Sequence, residues 1–379
     1  MKQKKPKIGL ITYHSAYNFG SALQTYGTIK TIRDLGFEVE TIDYRTPSQT
    51  LWYQSDFSRK KGIRSMIDNF GFEFIKSKRK VRARKYENFI SSFLNPTEER
   101  YTDYKSLKEA DLHYDILISG SDQVWNIGCG EFKYEPKDAI LPYFLQFGSP
   151  KNRIAYASSF GGQTLRNIRK YKNLLSTYDA LSTREPIIKD YIKEATGRDV
   201  ELVCDPTWLL DKHTWMDIPG IYNPTSSRKY IFVYALYWDF RALNRWLPVI
   251  KELARINNMN VFCISPLNYH RDKDINMIQD AGPLDFLSYI SHASLVITNT
   301  FHGTIFSMNF EKPFYSCRVQ PGSRQGQMLA MCCLEDRIIN NPSELLEDKD
   351  FNCDFTKSTV VINNLRSKSI SFLKNSIES

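Results

Sequence analysis

Short apolar runs alternate along this chain with stretches whose apolar residues recur at helical spacing. Lys7 to Thr12 reads as a strand, and Asn18-Phe19-Gly20-Ser21 as a turn in which Ser21 can cap the next helix. Leu23, Tyr26, Ile29, Ile32 and Leu35 fall on one helical face, and Gly36 closes that helix before a strand from Phe37 to Tyr44. An interruption follows over 46–105, rich in aromatic and basic residues and helical from Met66 to Phe93. The alternation resumes with strands Asp115–Ser119 and Arg153–Ser158, a helix over 165–176, strand Ala180–Ser182, a helix over 186–195 and strand Val200–Val203. Asp205-Pro206-Thr207 reads as a hinge. A second set has strands Tyr230–Leu236, Asn260–Ile264, 294–298 and Phe314–Ser316, with helices over 241–256, 283–291, 303–309 and 323–332. An amphipathic helix, Ile362 to Ile377, comes last. Strands alternating with helices predict parallel sheets covered on both faces. The expected organisation is one α/β lobe over 1–205 carrying the insertion 46–105, a second over 206–345, and a tail, 346–379, that packs back on the lobes. Two such lobes imply a cleft, the usual place for a ligand.

The 379 residues suit two domains, since single cores stop growing near ~250–300 residues. A hydrophobic content of 42% and a charged content of 25% are those of an ordinary globular chain. No apolar run approaches the ~18 residues of a spanning helix, and the apolar part of the basic N-terminus is too short for a signal peptide. Seven cysteines without a CxxC pair point to reduced thiols rather than disulfides or zinc, and so to a cytoplasmic protein. Charge changes the picture in one place. Residues 59–85 hold eleven basic side chains and two acidic ones, an excess equal to the net charge of +9 of the whole chain. Phe70, Phe72, Phe74 and Ile75 are interleaved there. Such a segment is either a solvated helix or a peripheral contact with an anionic membrane at its inner face. Nucleic acid is not expected, because no recognised binding motif accompanies the charge.

Polar residues gather where predicted strands end, the ligand-binding edge of an open α/β sheet. After the first strand come His14, then Asn18, Gly20 and Gln24; the pattern is neither GxGxxG nor a P-loop, which excludes the dinucleotide and Walker readings. After Asp115–Ser119 come Ser121, Asp122 and Gln123, with Asp122 either a general base or a cap, and Trp125 either a sugar floor or core. Ser158 and Phe160 follow the next strand, before Gly161-Gly162. Arg184 ends another, and a guanidinium fork binds carboxylate or phosphate in a bidentate way unless it pairs locally with Glu185. In the second lobe Asn299, His302, Gly303 and Thr304 stand where a strand hands over to a helix N-terminus, which favours anions. A histidine there, with an unperturbed pKa of about 6.5, can carry a proton near neutrality. Ser323 and Arg324 open a later helix.

The ordered signatures IGLITYHSAYNFGSALQTYG, DILISGSDQVWN, IAYASSFG, STREP, CDPTWLL and TNTFHGTIFSMNFEKPF resemble the polysaccharide pyruvyl transferase family from Ile8 to about Ile338. The resemblance implies two Rossmann-like lobes facing a cleft, a GT-B-like architecture. It also implies transfer of pyruvate from phosphoenolpyruvate onto two hydroxyls of a sugar as a cyclic ketal, with acceptors that are often lipid-linked. The family's histidine falls on His302 and its first-lobe arginine on Arg184. Members often carry Arg-Leu-His where this chain has Thr300-Phe301-His302, so an arginine is missing two residues before the histidine. Arg324 is the expected substitute. In this reading His302 is the acid, Asp122 the base, Arg184 with Arg324 the donor clamp, and the remaining strand-end residues substrate contacts; phosphoenolpyruvate is a co-substrate, and no cofactor or metal is needed. Two other readings stay open: a nucleotide-sugar-dependent glycosyltransferase of the same architecture, and a non-catalytic sugar-binding relative, which the missing arginine would suit.

Overall fold

The computed structural model describes residues 5–54, 65–132, 134–225, 228–265, 272–320, 322–347 and 351–379, with backbone alone over 51–54 and 65–76. The chain forms two compact units. The first comprises Met1–Phe57, Tyr86–Leu210 and Asn364–Ser379, and the second Ser58–Lys85 and Asp211–Asn363.

In the first unit, β1 (Lys7–Ile11), α1 (Phe19–Asp34), β2 (Glu38–Tyr44), α2 (Pro47–Gln54) and α3 (Ser65–Phe93, from Tyr86 onward) lead to β3 (Pro96–Tyr101) and α4 (Tyr104–Glu109). Then come β4 (Ile116–Ser119), β5 (Asn152–Ala155), α5 (Leu165–Ile168), α6 (Lys172–Leu175), β6 (Ala180–Thr183), α7 (Pro186–Thr196) and β7 (Glu201–Leu202). All pairings are parallel, in the order β3-β2-β1-β4-β5-β6-β7. Central strands of such a sheet are buried on both faces, which is why β4 reads Ile-Leu-Ile-Ser without alternation.

The second unit holds α8 (Lys212–Met216), β8 (Tyr230–Tyr234), α9 (Phe240–Ile256), β9 (Asn260–Ile264), β10 (Ile275–Met277) and α10 (Pro283–Ser291). It continues with β11 (Leu295–Thr298), α11 (Phe301–Asn309), β12 (Phe314–Cys317), α12 (Arg324–Met331), β13 (Ile338–Ile339) and the first part of α13 (Thr356–Glu378). Its parallel sheet runs β10-β9-β8-β11-β12-β13. In each sheet the strand order reverses once, between β1 and β4 and between β8 and β11. Those reversals are the topological switch points, where a crevice opens beyond the strands' carboxyl ends.

Three expectations change. The segment 46–105 is not helical throughout, because its polar stretch Thr97-Glu98-Glu99-Arg100 forms β3 at the sheet edge, where period and hydrophobicity give little signal. The helix over 165–176 is broken by a 3-10 turn, Arg169–Tyr171, with the Tyr171 ring stacked on Phe144 at 5.1 Å. Ser21 does not cap α1: Asn18 does, accepting from the Gly20 N–H at 2.9 Å, and Ser21 lies inside the helix.

Helix α1 lies against the turn Pro206–Trp208, and Gly27 makes that approach possible. A Cβ at Gly27 would stand 2.4 Å from the Pro206 carbonyl oxygen. Glycine in a helix interior ordinarily costs about 1 kcal/mol relative to alanine. Here the overlap is with backbone, and overpacking of about 1–3 kcal/mol wins. Gly27→Ala therefore lowers the melting temperature by a few degrees in calorimetry, whereas a gain in stability would contradict the contact.

Candidate functional site

The switch point of the first unit is built around Arg184. This residue follows β6, its side chain is 2% exposed, and Nη1 donates to Ser121 Oγ at 2.9 Å and to Asp205. Nη2 lies 3.7 Å from Asp122 Oδ1. Asp205 is itself fixed, accepting from the Thr207 N–H at 3.0 Å and the Thr207 hydroxyl at 2.8 Å. Burial works against the guanidinium, but the charges of Asp205, Asp122 and Glu185 outweigh it and raise its pKa further. Arg184 is thus buried and paired through Nη1 with Asp205, with Asp122 close to Nη2, rather than forming an exposed local pair with Glu185. What it presents is Asp122. That carboxylate, at a left-handed φ of 78°, accepts from Ser21 Oγ at 2.6 Å and from the Gln123 N–H at 2.8 Å, and keeps 15% of its side chain exposed. This sparsely populated backbone region costs about 1–3 kcal/mol and is held here by the surrounding hydrogen bonds.

Several expected contacts serve the interior instead. Phe160 and Trp125 are fully buried and pack on each other at 5.1 Å, so neither offers a face to a ligand. Ser158 Oγ is spent on the carbonyls of Ser119 and Gly120. Gln24 is buried and bonds Thr12, the Ser21 carbonyl and Thr25. Gly20 sits in the first turn of α1 rather than in an exposed loop. His14 does not reach the crevice: it is fully buried, with Nε2 2.9 Å from Asp43 Oδ1 and Nδ1 3.2 Å from the Thr12 carbonyl. Asp43 is also bound by Arg45 and Arg100, and Arg45 continues to Glu87 at 2.8 Å. Burial alone would raise the Asp43 carboxyl, but the His14 hydrogen bond and the charges of His14 and Arg45 hold it well below the usual carboxylate range.

The switch point of the second unit joins two helix starts. Thr300 caps α11, accepting from the Gly303 N–H at 2.9 Å, so His302 stands in the first turn. Ser323 caps α12 through the Gly326 N–H at 3.2 Å. The two are tied by Gln325 Nε2, which donates to Thr304 Oγ1 at 2.8 Å, while Thr304 meets Ser316 Oγ at 2.7 Å. Thr304 is therefore a buried post. Gly303 is the one residue that fits its place, since a Cβ there would lie 2.3 Å from Thr298 Oγ1. The Arg324 guanidinium lies over the Phe301 ring, 5.5 Å from its centroid, and that ring meets His302 edge to face at 5.4 Å. Arg324 and His302 thus both pack on the Phe301 ring, in a chain where the arginine of the usual motif is absent. The Asn299 Oδ1 atom is buried with no hydrogen-bond partner among the described residues.

A sequence profile of the polysaccharide pyruvyl transferases matches residues 18–321, four-fifths of the chain. The chain belongs to the polysaccharide pyruvyl transferase family. It is thus a member of a family of transferases. No curated protein sequence matches it. Among solved structures it is similar to a Listeria monocytogenes protein described as a UDP-N-acetylglucosamine 2-epimerase, at 10% identity and a TM-score of 0.52 over 99% of this chain and 97% of that one. A UDP-GlcNAc 2-epimerase from Neisseria meningitidis, bound to UDP-GlcNAc, gives 8% identity and a TM-score of 0.49 over 97% and 99%. The first likeness establishes a shared fold, the two-lobed GT-B-like α/β architecture that the family resemblance implies, and nothing about substrate.

In this pyruvyl transferase family member, sequence reasoning missed Asp205, read as a hinge, and the bond from Ser21 to Asp122. An aspartate before proline at a strand end was the available signal for the first. Pro321 of the Pro321-Gly-Ser-Arg324 turn and the cations Arg59, Lys60, Lys61 and Arg64 lie outside the described residues. Among the described residues no group of three or more His, Cys, Asp and Glu side chains is arranged to hold a metal, and no helix is long and apolar enough to cross a membrane.

The Asp43 network has a signed pH dependence. Its carboxyl is depressed in the folded state, so its stabilisation is complete above the unfolded value of about 4 and is lost as the pH falls through the folded value. Asp43→Asn should cost about 3–5 kcal/mol near pH 7, as breaking a buried pair does. The difference in melting temperature from the native chain should shrink below about pH 4; a constant difference across that range would contradict the assignment.

Proposed function

We propose that the protein transfers pyruvate from phosphoenolpyruvate to two hydroxyls of a sugar in a polysaccharide precursor. Family membership supports the reaction class, and one observation carries the assignment of the donor: Arg324 and His302 pack on the same Phe301 ring, at two helix N-termini tied together by Gln325 and Thr304. Phosphoenolpyruvate has a carboxylate and a phosphate, and helix N-termini with a guanidinium are a natural cradle for both. The precursor is lipid-linked in the reading that the basic charge over 59–85 favours.

The chemistry needs a donor cradle, an acid and a base. The second unit holds the donor, and His302 delivers a proton to C3 of the enol or to the departing phosphate. Protonation at C3 makes C2 cationic, one sugar hydroxyl adds there, and a second displaces phosphate to close the ketal. Atoms balance as donor plus diol giving ketal plus inorganic phosphate. Asp122, with Arg184 Nη2 3.7 Å from its Oδ1, takes the hydroxyl proton; addition to a cationic carbon needs only a weak base. Arg184 is a positioning residue whose partner Asp205 fixes it.

The test is incubation with phosphoenolpyruvate and a panel of sugars, read by the mass gain of a pyruvyl ketal and by phosphate release. His302→Ala and Asp122→Asn should each lower the rate by ~10²–10⁴-fold, the usual worth of acid–base assistance. Arg324→Ala should raise the KM for phosphoenolpyruvate by about 10–100-fold, as loss of charge-assisted hydrogen bonds does. Turnover of a nucleotide sugar without consumption of phosphoenolpyruvate would overturn the proposal in favour of glycosyl transfer.

A further inference from the structure

A row of side-chain amides starts at the residue after Asp122 and runs outward over the first unit. Asn126 Nδ2 donates to Gln123 Oε1 at 2.9 Å, Gln163 Nε2 to Asn126 Oδ1 at 2.7 Å, and Asn167 Nδ2 to Gln163 Oε1 at 2.7 Å. Lys170 Nζ closes the outer end on Asn167 Oδ1 at 2.9 Å. Every bond points the same way, so each amide's orientation is fixed by its neighbours and the row is uniformly polarised. A side-chain amide carries two N–H groups. Asn126, Gln163 and Asn167 each use one in the row, and Gln123 Nε2 uses none among the described residues. Gln123, Gln163 and Asn167 are half-buried, reachable from solvent yet restrained.

Glycines keep the row open. A Cβ at Gly161 would stand 2.4 Å from Gln123 Oε1 and 3.0 Å from Asn126 Nδ2. At Gly128 it would stand 3.2 Å from Gln163 Nε2. Gly162 faces open space, with nothing within 4 Å of its Cβ position. Trp125, next to Asn126 in the chain, belongs to a ring cluster with Phe144, Phe160 and Tyr171, with centroids 5.1 to 5.8 Å apart, stacked at Trp125–Phe144 and Phe144–Tyr171 and tilted at Trp125–Phe160 and Phe160–Tyr171. Amides held rigidly lose little entropy when they bind.

We propose that this row is a subsite track for a neutral oligosaccharide, several sugars long, whose terminal unit carries the hydroxyl pair offered to Asp122. Planar amides with spare N–H groups match the paired hydroxyls that recur along a glycan, while Asn126, buried and with Oδ1 also accepting from the Gly128 N–H at 3.1 Å, anchors the row. The row itself bears no charge until Lys170, so it selects a polyhydroxylated chain over a polyanion. The assignment rests on the reading of Asp122 as the acceptor's base, and it adds that the acceptor is an extended chain rather than a single sugar.

The test uses the full chain and calorimetric titration, without phosphoenolpyruvate, with mono- to tetrasaccharides of glucose, galactose, mannose and N-acetylglucosamine. Affinity should rise by about tenfold or more from one to four sugars in at least one series. Gln163→Ala and Gly162→Trp should each weaken tetrasaccharide binding by about fivefold or more, the worth of one or two hydrogen bonds, and leave monosaccharide affinity unchanged. Gly162→Trp removes no bond of the row, so its effect separates occlusion from loosening. No dependence on length in any series, or native affinity in both variants, would overturn the track. Length-dependent binding with no turnover of phosphoenolpyruvate would instead leave the track standing and remove the pyruvyl transfer reading. Transfer to a monosaccharide as fast as to a tetrasaccharide would do the reverse.

Discussion

The buried ion pair between Arg184 and Asp205 is the constraint on which the first unit's site depends. A guanidinium 2% exposed cannot stay charged without partners, and removing one partner of a buried pair typically costs about 3–5 kcal/mol. Here the partners are carboxylates from two places in the chain: Asp205, locked by Thr207, and Asp122, at a strand end. Their charges outnumber that of the arginine. In the proposed reading, that surplus of negative charge is why the anionic donor is assigned to Arg324 rather than to Arg184.

The second unit meets the complementary demand with little charge. Two helix starts tied together by Gln325 and Thr304 present N–H groups, and Arg324 lies over the Phe301 ring that also meets His302. Close packing makes this possible. Gly303 admits the hydroxyls of Thr298 and Thr300 against the backbone, and Thr304 accepts from Gln325 while touching Ser316. Small residues and hydroxyls, rather than long charged chains, bring the helix ends together. Where the usual motif has an arginine before the histidine, this chain has Thr300, and the Arg324 guanidinium at the start of the next helix lies over Phe301.

Much of this was legible in the chain. The buried strands declared themselves because parallel sheets need continuous apolar runs, and polar residues clustered at their carboxyl ends because ligands bind there. His302, Asp122 and Arg324 stand where those rules put them. The failures share a cause. Phe160, His14, Gln24 and Ser158 also follow strands, but whether a strand-end side chain turns outward or inward depends on tertiary neighbours that no local pattern encodes. The pairing of Arg184 with Asp205 joins residues 21 apart in sequence, and the bond from Ser21 to Asp122 joins residues 101 apart. Edge strand β3 was hidden because a polar edge carries no hydrophobic period.

The central claim is that the donor's anionic groups are held by Arg324 and the starts of α11 and α12, while Arg184 is committed to its carboxylates. A crystal structure of the protein soaked with phosphoenolpyruvate tests it most directly. The account predicts the phosphate or carboxylate within hydrogen-bonding distance of the Arg324 guanidinium and of first-turn N–H groups, with the Arg184–Asp205 pair intact. Donor bound to Arg184, with Asp122 or Asp205 displaced from it, would contradict the account.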